Sequence, residues 1–185
     1  MLTKSVCWIA GSEKSNSFGG PFSYVALQVR KSGVGAEPTP IRVEAERCIL
    51  YAGYIRTITA VVLEAEPGVP LHVWCNHEAV VDLFAKERLA QGARADFSDM
   101  ANADELRALA GAVAAKKITV TAAGPDGGGA DADRCGALRK EAMRVRKNLP
   151  ELTPKDLRDL ENDKPFWRKP EDSDALRRRA MERDP

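Results

Sequence analysis

A chain of 185 residues with 44% apolar and 30% charged side chains has room for one globular domain and an appendage, not for two large domains. Its 28 Lys and Arg stand against 27 Asp and Glu, a formal charge of +1, so it is no polycation that grips phosphate everywhere; any nucleic-acid surface has to be local. Apolar runs such as Ile58 to Leu63 fall far short of the ~20 residues of a bilayer span. The opening Met-Leu-Thr-Lys-Ser-Val-Cys-Trp has no signal-like apolar core. The expectation is a soluble cytoplasmic protein that meets no membrane.

In chain order, Lys4 to Ala10 is a short, mostly apolar run that reads as a buried strand, and Gly11 to Pro21, rich in Gly, Ser and Asn, reads as a loop. Phe22 to Arg30 resumes strand character. After the Gly and Pro of residues 31–40, Ile41, Val43 and Ala45 alternate with Arg42, Glu44 and Glu46 as a third antiparallel strand. The period then changes: Cys48, Ala52, Ile55, Thr59 and Val62 recur at steps of three and four, which predicts a helix over about 49–65. Glu66-Pro67-Gly68 stops it. Residues 70–75 form a strand leading into a helix over about 77–91, so a parallel crossover is implied. Asn102 with Glu105 looks like a capping box for a helix over 103–115. A fifth strand at 118–122, a glycine-rich loop at 124–129 and a helix at 132–147 complete the order β-β-β-α-β-α-α-β-α.

After Asn148 the composition shifts to Pro and to charge of both signs. Residues 148–185 therefore read as a tail, with a short helix from Thr153 and Pro154 to about Leu160. Phe166 and Trp167 stand out in it as a candidate anchor for a protein partner. Cys7, Cys48, Cys75 and Cys135 lie at long spacings, and His72 and His77 are the only histidines. That donor set is too thin for zinc, so reduced, buried thiols are expected, with no metal and no cofactor.

The local words agree with the element order. Ala10-Gly11-Ser12, Asn16, Gly19-Gly20 and Tyr24-Val25-Ala26-Leu27 resemble the first hairpin of the type 1 ribonuclease H family. There Asp-Gly-Ser, Asn-Pro-Gly and Gly-Gly-Tyr-Gly-Ala-Leu are typical. Leu71 to Val81 is similar to that family's fourth strand and following helix, and Asp133-Arg134-Cys135-Gly136 to the start of its last helix. The resemblance covers about residues 4–147. It implies an α/β ribonuclease H-like fold: a five-stranded mixed sheet, three antiparallel strands then two parallel, flanked by helices. Residues 1–147 would be this domain and 148–185 its extended C-terminal tail.

The resemblance also implies chemistry. Enzymes of that family cut the RNA strand of an RNA–DNA hybrid with two divalent cations held by four carboxylates. At those four positions this chain carries Ala10, Ile55, Asn76 and Gly136. Sliding the first helix by one brings in Tyr54, and a gap of about nine residues would be needed to recover Glu46. The loop at Gly124-Pro125-Asp126-Gly127 lacks the family's histidine. Glu13, Asp126, Asp131 and Asp133 lie near the site in sequence, yet they read as solvated loop residues.

The expectation is a non-catalytic protein whose groove binds nucleic acid, RNA or an RNA–DNA hybrid, within a larger complex. Gly11, Ser12, Asn16 and Asn76 would line the groove, with Arg134, Arg139 and Lys140 nearby. Two alternatives are an interaction subunit docking through its tail and a hybrid-cleaving enzyme with a relocated metal site.

Overall fold

The computed structural model describes residues 4–16, 20–33, 35–125, 128–148 and 153–155, the side chain of Asn16 excepted. Five strands form one sheet in the order β3-β2-β1-β4-β5: β1 (Ser5–Asn16), β2 (Gly20–Arg30), β3 (Arg42–Glu46), β4 (Leu71–Cys75) and β5 (Val120–Ala123). The first three pair antiparallel, and β4 runs parallel to both β1 and β5. Among the described residues the sheet is joined by the helices α1 (Leu50–Glu64), α2 (Glu78–Ala85), α3 (Arg88–Arg94), α4 (Ala103–Lys116) and α5 (Ala130–Asn148). The mixed sheet flanked by helices is the architecture expected from the sequence.

Alternation along the strands divides the core between the two faces of the sheet. Cys7, Ile9, Val25, Leu27, Val73 and Cys75 face α1, with α4 beyond it. Val6, Trp8, Ala10, Tyr24, Ala26 and Val43 face α5, whose buried stripe is Cys135, Leu138, Ala142 and Val145. Enclosure on several sides explains why α1 tolerates its β-branched residues and a glycine: nine of its residues are buried, and packing outweighs propensity. The hydroxyls of Thr57 and Thr59 donate to the carbonyls of Gly53 and Ile55, so no polar group is stranded there. A Cβ at Gly53 would lie 2.3 Å from Ser23 Oγ; this glycine sets how closely α1 approaches β2.

Several expectations are corrected. The segment read as a loop over 11–21 is mostly ladder: β1 continues to Asn16, opposite Gly20. Its Gly, Ser and Asn are poor strand formers, and cross-strand pairing overrides that preference. The helix expected over 77–91 is two helices, broken where Glu87 takes a left-handed conformation at φ 52°. The second of them, α3, runs on to Arg94, and the segment after it is pinned by the buried ring of Phe97 against Gly92. Asn102 does not cap α4 through its side chain; it is itself left-handed at φ 60°, and Glu105 pairs with Arg56 at 2.7 Å. The fifth strand starts two residues later than expected, and α5 two residues earlier. In the tail, Pro154 and Lys155 are helical, while Phe166 and Trp167 lie outside the described residues.

Candidate functional site

The carboxyl ends of β1 and β4 and the first turns of α1 meet at one end of the sheet. There the side chain of Tyr54 spans the gap between strands: its hydroxyl donates to Asn76 Oδ1 at 3.1 Å, and the Gly11 backbone N–H faces the phenol oxygen, an arrangement that favours the ionised phenol. Burial raises the Tyr54 pKa, and the nearby Arg139 charge opposes that rise, so the phenol stays protonated at neutral pH. His77 meets the Tyr54 ring edge-on at 5.2 Å and Tyr51 at 5.8 Å. Because its hydroxyl group is a donor, Tyr54 uses the Asn76 carbonyl oxygen and leaves the amide NH2 as a donor.

Gly11 permits this packing. A Cβ on it would stand 2.6 Å from Leu50 Cδ1 and 3.2 Å from both the Tyr24 carbonyl and the Tyr54 ring. Leu50 is itself fixed from β1, because Glu13 Oε2 accepts its backbone N–H at 2.6 Å. This carboxylate satisfies a donor at the open end of α1 and interacts favourably with the helix dipole; Ile49 provides no side-chain cap.

Of the residues expected at the site, Gly11 and Asn76 come together through Tyr54. Ile55 does not join them: it is fully buried in the core on the α1 side, one residue beyond the one that turns to Asn76. Ala10 is fully buried on the opposite, α5 face, and alternation puts Ser12 on that face as well. Gly136 is exposed in α5, with open space where a Cβ would stand. Arg139 and Lys140 follow it by three and four residues and share its stripe. Arg134 is elsewhere: it bonds Gln28 Oε1 at 2.7 Å and lies over Trp8 at 4.5 Å. The side chain of Asn16 lies outside the described residues.

Metal-catalysed hydrolysis needs anionic oxygens around two hard cations. The side chains at this end of the sheet are a methyl, a phenol, an amide and a bare glycine, which do not fit such a pair. The nearby acids are committed or remote: Glu13 to Leu50, Asp131 to the Trp8 indole at 2.6 Å, and Glu46 to Arg56 at 2.8 Å. Asp133 is exposed, and Asp126 lies outside the described residues. Among the described residues no group of three His, Cys, Asp or Glu could hold a metal ion. The thiols are protonated at neutral pH, burial pushing Cys7 and Cys75 up to about 12 and Cys48 and Cys135 up to about 11. All four are free. Among the described residues no helix is long and apolar enough to cross a membrane.

No family model matches the sequence, and no curated protein matches it. Solved structures do. The chain superposes on the PFV RNase H domain with a TM-score of 0.59 at 11% identity, over 77% of this chain and 93% of that one. It superposes on the foamy viral protease-reverse transcriptase in complex with an RNA/DNA hybrid with a TM-score of 0.63 at 10% identity. That match covers 77% of this chain and 20% of the other, so the chain spans about a fifth of that protein. LC9-RNase H1, described as a type 1 RNase H with the type 2 active-site motif, gives 0.54 at 12% identity over 78% of this chain and 74% of its own. Strand order, element order and these superpositions together establish that the chain has the ribonuclease H-like fold.

Proposed function

We propose that this domain binds a nucleic-acid duplex containing an RNA strand, without cutting it, as a non-catalytic component of a larger assembly. The ligand class is supported by the fold, since the foamy viral protease-reverse transcriptase was solved with an RNA/DNA hybrid. Helices of this kind are read through backbone and 2′-hydroxyl contacts rather than base edges. Gly11 is buried under Leu50 and Tyr54 and gives no contact surface of its own, whereas Asn76 is exposed and offers an amide donor for a ribose or phosphate oxygen.

The observation that carries the reading is the Tyr54–Asn76 hydrogen bond, standing where the resemblance expects paired carboxylates. A phenol and an amide give two cations nothing to bind, and the nucleophilic hydroxide they would generate is then missing. Removing the acids also removes repulsion toward phosphate. Arg139, exposed on α5, carries a charge that acts on Tyr54 and would add attraction for phosphate at this end of the sheet.

Filter binding of hybrid, double-stranded RNA and double-stranded DNA across a salt series tests this. Hybrid or double-stranded RNA is expected to be retained, with log affinity falling linearly against log salt. Arg139→Glu is expected to weaken binding and to flatten that slope by about 1. End-labelled hybrid incubated with Mg²⁺ or Mn²⁺ is expected to stay intact. A flat salt response sinks the binding; metal-dependent products sink the non-catalytic role.

A further inference from the structure

The α5 face of the sheet carries a second cluster, which the groove does not use. Trp8 and Trp74 are neighbours in parallel register, and the His72 ring meets Trp74 edge to face at 4.7 Å and 80°. Trp8 is buried beneath two guanidiniums, Arg134 at 4.5 Å and Arg30 at 5.5 Å. Trp74 and His72 are only half-buried. His72 is held by Thr121 of the neighbouring strand at 2.8 Å, and its other ring nitrogen has no hydrogen-bond partner among the described residues. Lys4 and Arg30 are exposed at the margin; Lys4 and Asp131 both act on His72. Lys4, Arg30 and Arg134 thus lie around these rings; of the two acids in the first turn of α5, Asp131 is bonded to the Trp8 indole and Asp133 is exposed.

We propose that this face is a second binding surface, for an unpaired stretch of nucleic-acid strand whose bases stack on Trp74 and His72 and whose phosphates meet Lys4, Arg30 and Arg134. Side-by-side aromatic rings on a sheet, edged with cations, suit a polymer that carries π-faces and negative charge at alternating positions. A duplex keeps its base faces stacked and would leave the rings unused. An acidic peptide would satisfy the cations but not the rings. The surface is continuous with the groove: Trp74 is two residues before Asn76, and its carbonyl accepts the Cys135 thiol of α5 at 3.7 Å. A strand leaving the duplex end at Asn76 would pass round the first turn of α5 onto this face. The inference rests on the groove reading for the ligand being nucleic acid, and the two can be tested apart.

The test uses the full chain and fluorescence anisotropy with two labelled probes, a 12-nucleotide oligouridine and a blunt 12-base-pair hybrid, and a competition of the oligouridine with oligoglutamate. Trp74→Leu is expected to weaken oligouridine binding about tenfold or more and to leave blunt-hybrid binding unchanged. Arg139→Glu is expected to do the reverse. Since Trp74 also packs against the core, Arg30→Glu, at an exposed position, provides a second variant with the same expected direction. Indole quenching in the unsubstituted chain on adding oligouridine reports stacking directly. Hybrid binding without oligouridine binding overturns this inference and leaves the groove standing; oligouridine binding without hybrid binding does the opposite. Oligoglutamate competing as well as a second oligouridine, or oligouridine binding indifferent to Trp74 and Arg30, also overturns it.

Discussion

Single glycines at the two ends of the candidate site have opposite roles. At Gly11, an added methyl meets Leu50 and the backbone carbonyl of Tyr24. Leu50 can rotate, but the carbonyl belongs to a paired strand and cannot, so the strain has to be accommodated by β1 itself. Gly11→Ala is therefore expected to cost about 1–3 kcal/mol in a urea titration, with an unchanged slope because the same surface unfolds. At Gly136 a methyl meets nothing, and the position is an exposed interior turn of α5. Gly136→Ala is expected to stabilise by roughly 0.5–1 kcal/mol in the same assay, from helix propensity and reduced unfolded-state freedom. Equal costs at the two positions would mean that Gly11 is not held by its neighbours. The contrast also bears on function, since α5 can accept a side chain at Gly136 whereas β1 at Gly11 cannot.

At the scale of elements, the start of α1 is organised from another strand. Glu13 reaches from β1 to the first amide of the helix, a link between residues 37 apart in sequence that no local capping rule anticipates. Glu13→Ala is expected to lower stability by about 1 kcal/mol, read as a lower thermal midpoint, while Glu13→Gln keeps an accepting oxygen and most of the midpoint. Similar losses in both variants would assign the effect to charge rather than to the hydrogen bond. The same comparison shows where the chain was legible. The period-3.6 stripe of α5 and the alternation in β3 are local patterns set by burial, and the sequence displays them directly. The extension of β1 through Gly11 to Asn16, the break at Glu87 and the use of Glu105 on Arg56 are decided by partners far along the chain. Composition favours a loop, a continuous helix and a capping box at those places, and tertiary contacts override each of them. The site shows the same division. Asn76 and Gly11 were readable from the words around them, whereas Tyr54 replaced Ile55 because a one-residue rotation of a helix by about 100° decides which side chain meets Asn76.

Over the whole molecule, the two histidines bracket β4: His72 lies near its start and His77 just beyond its end, before α2. His72 carries an unpartnered ring nitrogen on the sheet face, and His77 another beside Tyr51 and Tyr54. Burial holds both below the ordinary histidine pKa of 6.5; the Lys4 charge adds to the effect on His72 and Asp131 opposes it. Protonation would bury a new N–H without an acceptor, so the folded chain favours the neutral rings. In the unfolded chain each histidine binds a proton as pH falls through 6.5, whereas in the folded chain it binds at lower pH. The unfolded state therefore holds more protons in that window, and stability rises with pH there. Urea midpoints are expected to be nearly constant from about pH 8 to 7 and to fall as pH is lowered from about 6.5 toward 5. His77→Gln, which cannot be charged, is expected to flatten part of the fall, and adding His72→Gln more of it. A midpoint that rises on acidification through this range, or an unchanged slope in the double variant, would mean that the two rings are solvated well enough to titrate as they do in the unfolded chain. Because His72 sits on the face proposed for stacking and His77 beside Asn76, the same protonations would place positive charge next to both proposed binding surfaces while weakening the fold that presents them. Binding measured at pH 5.5 should therefore be interpreted only alongside the urea midpoint at that pH.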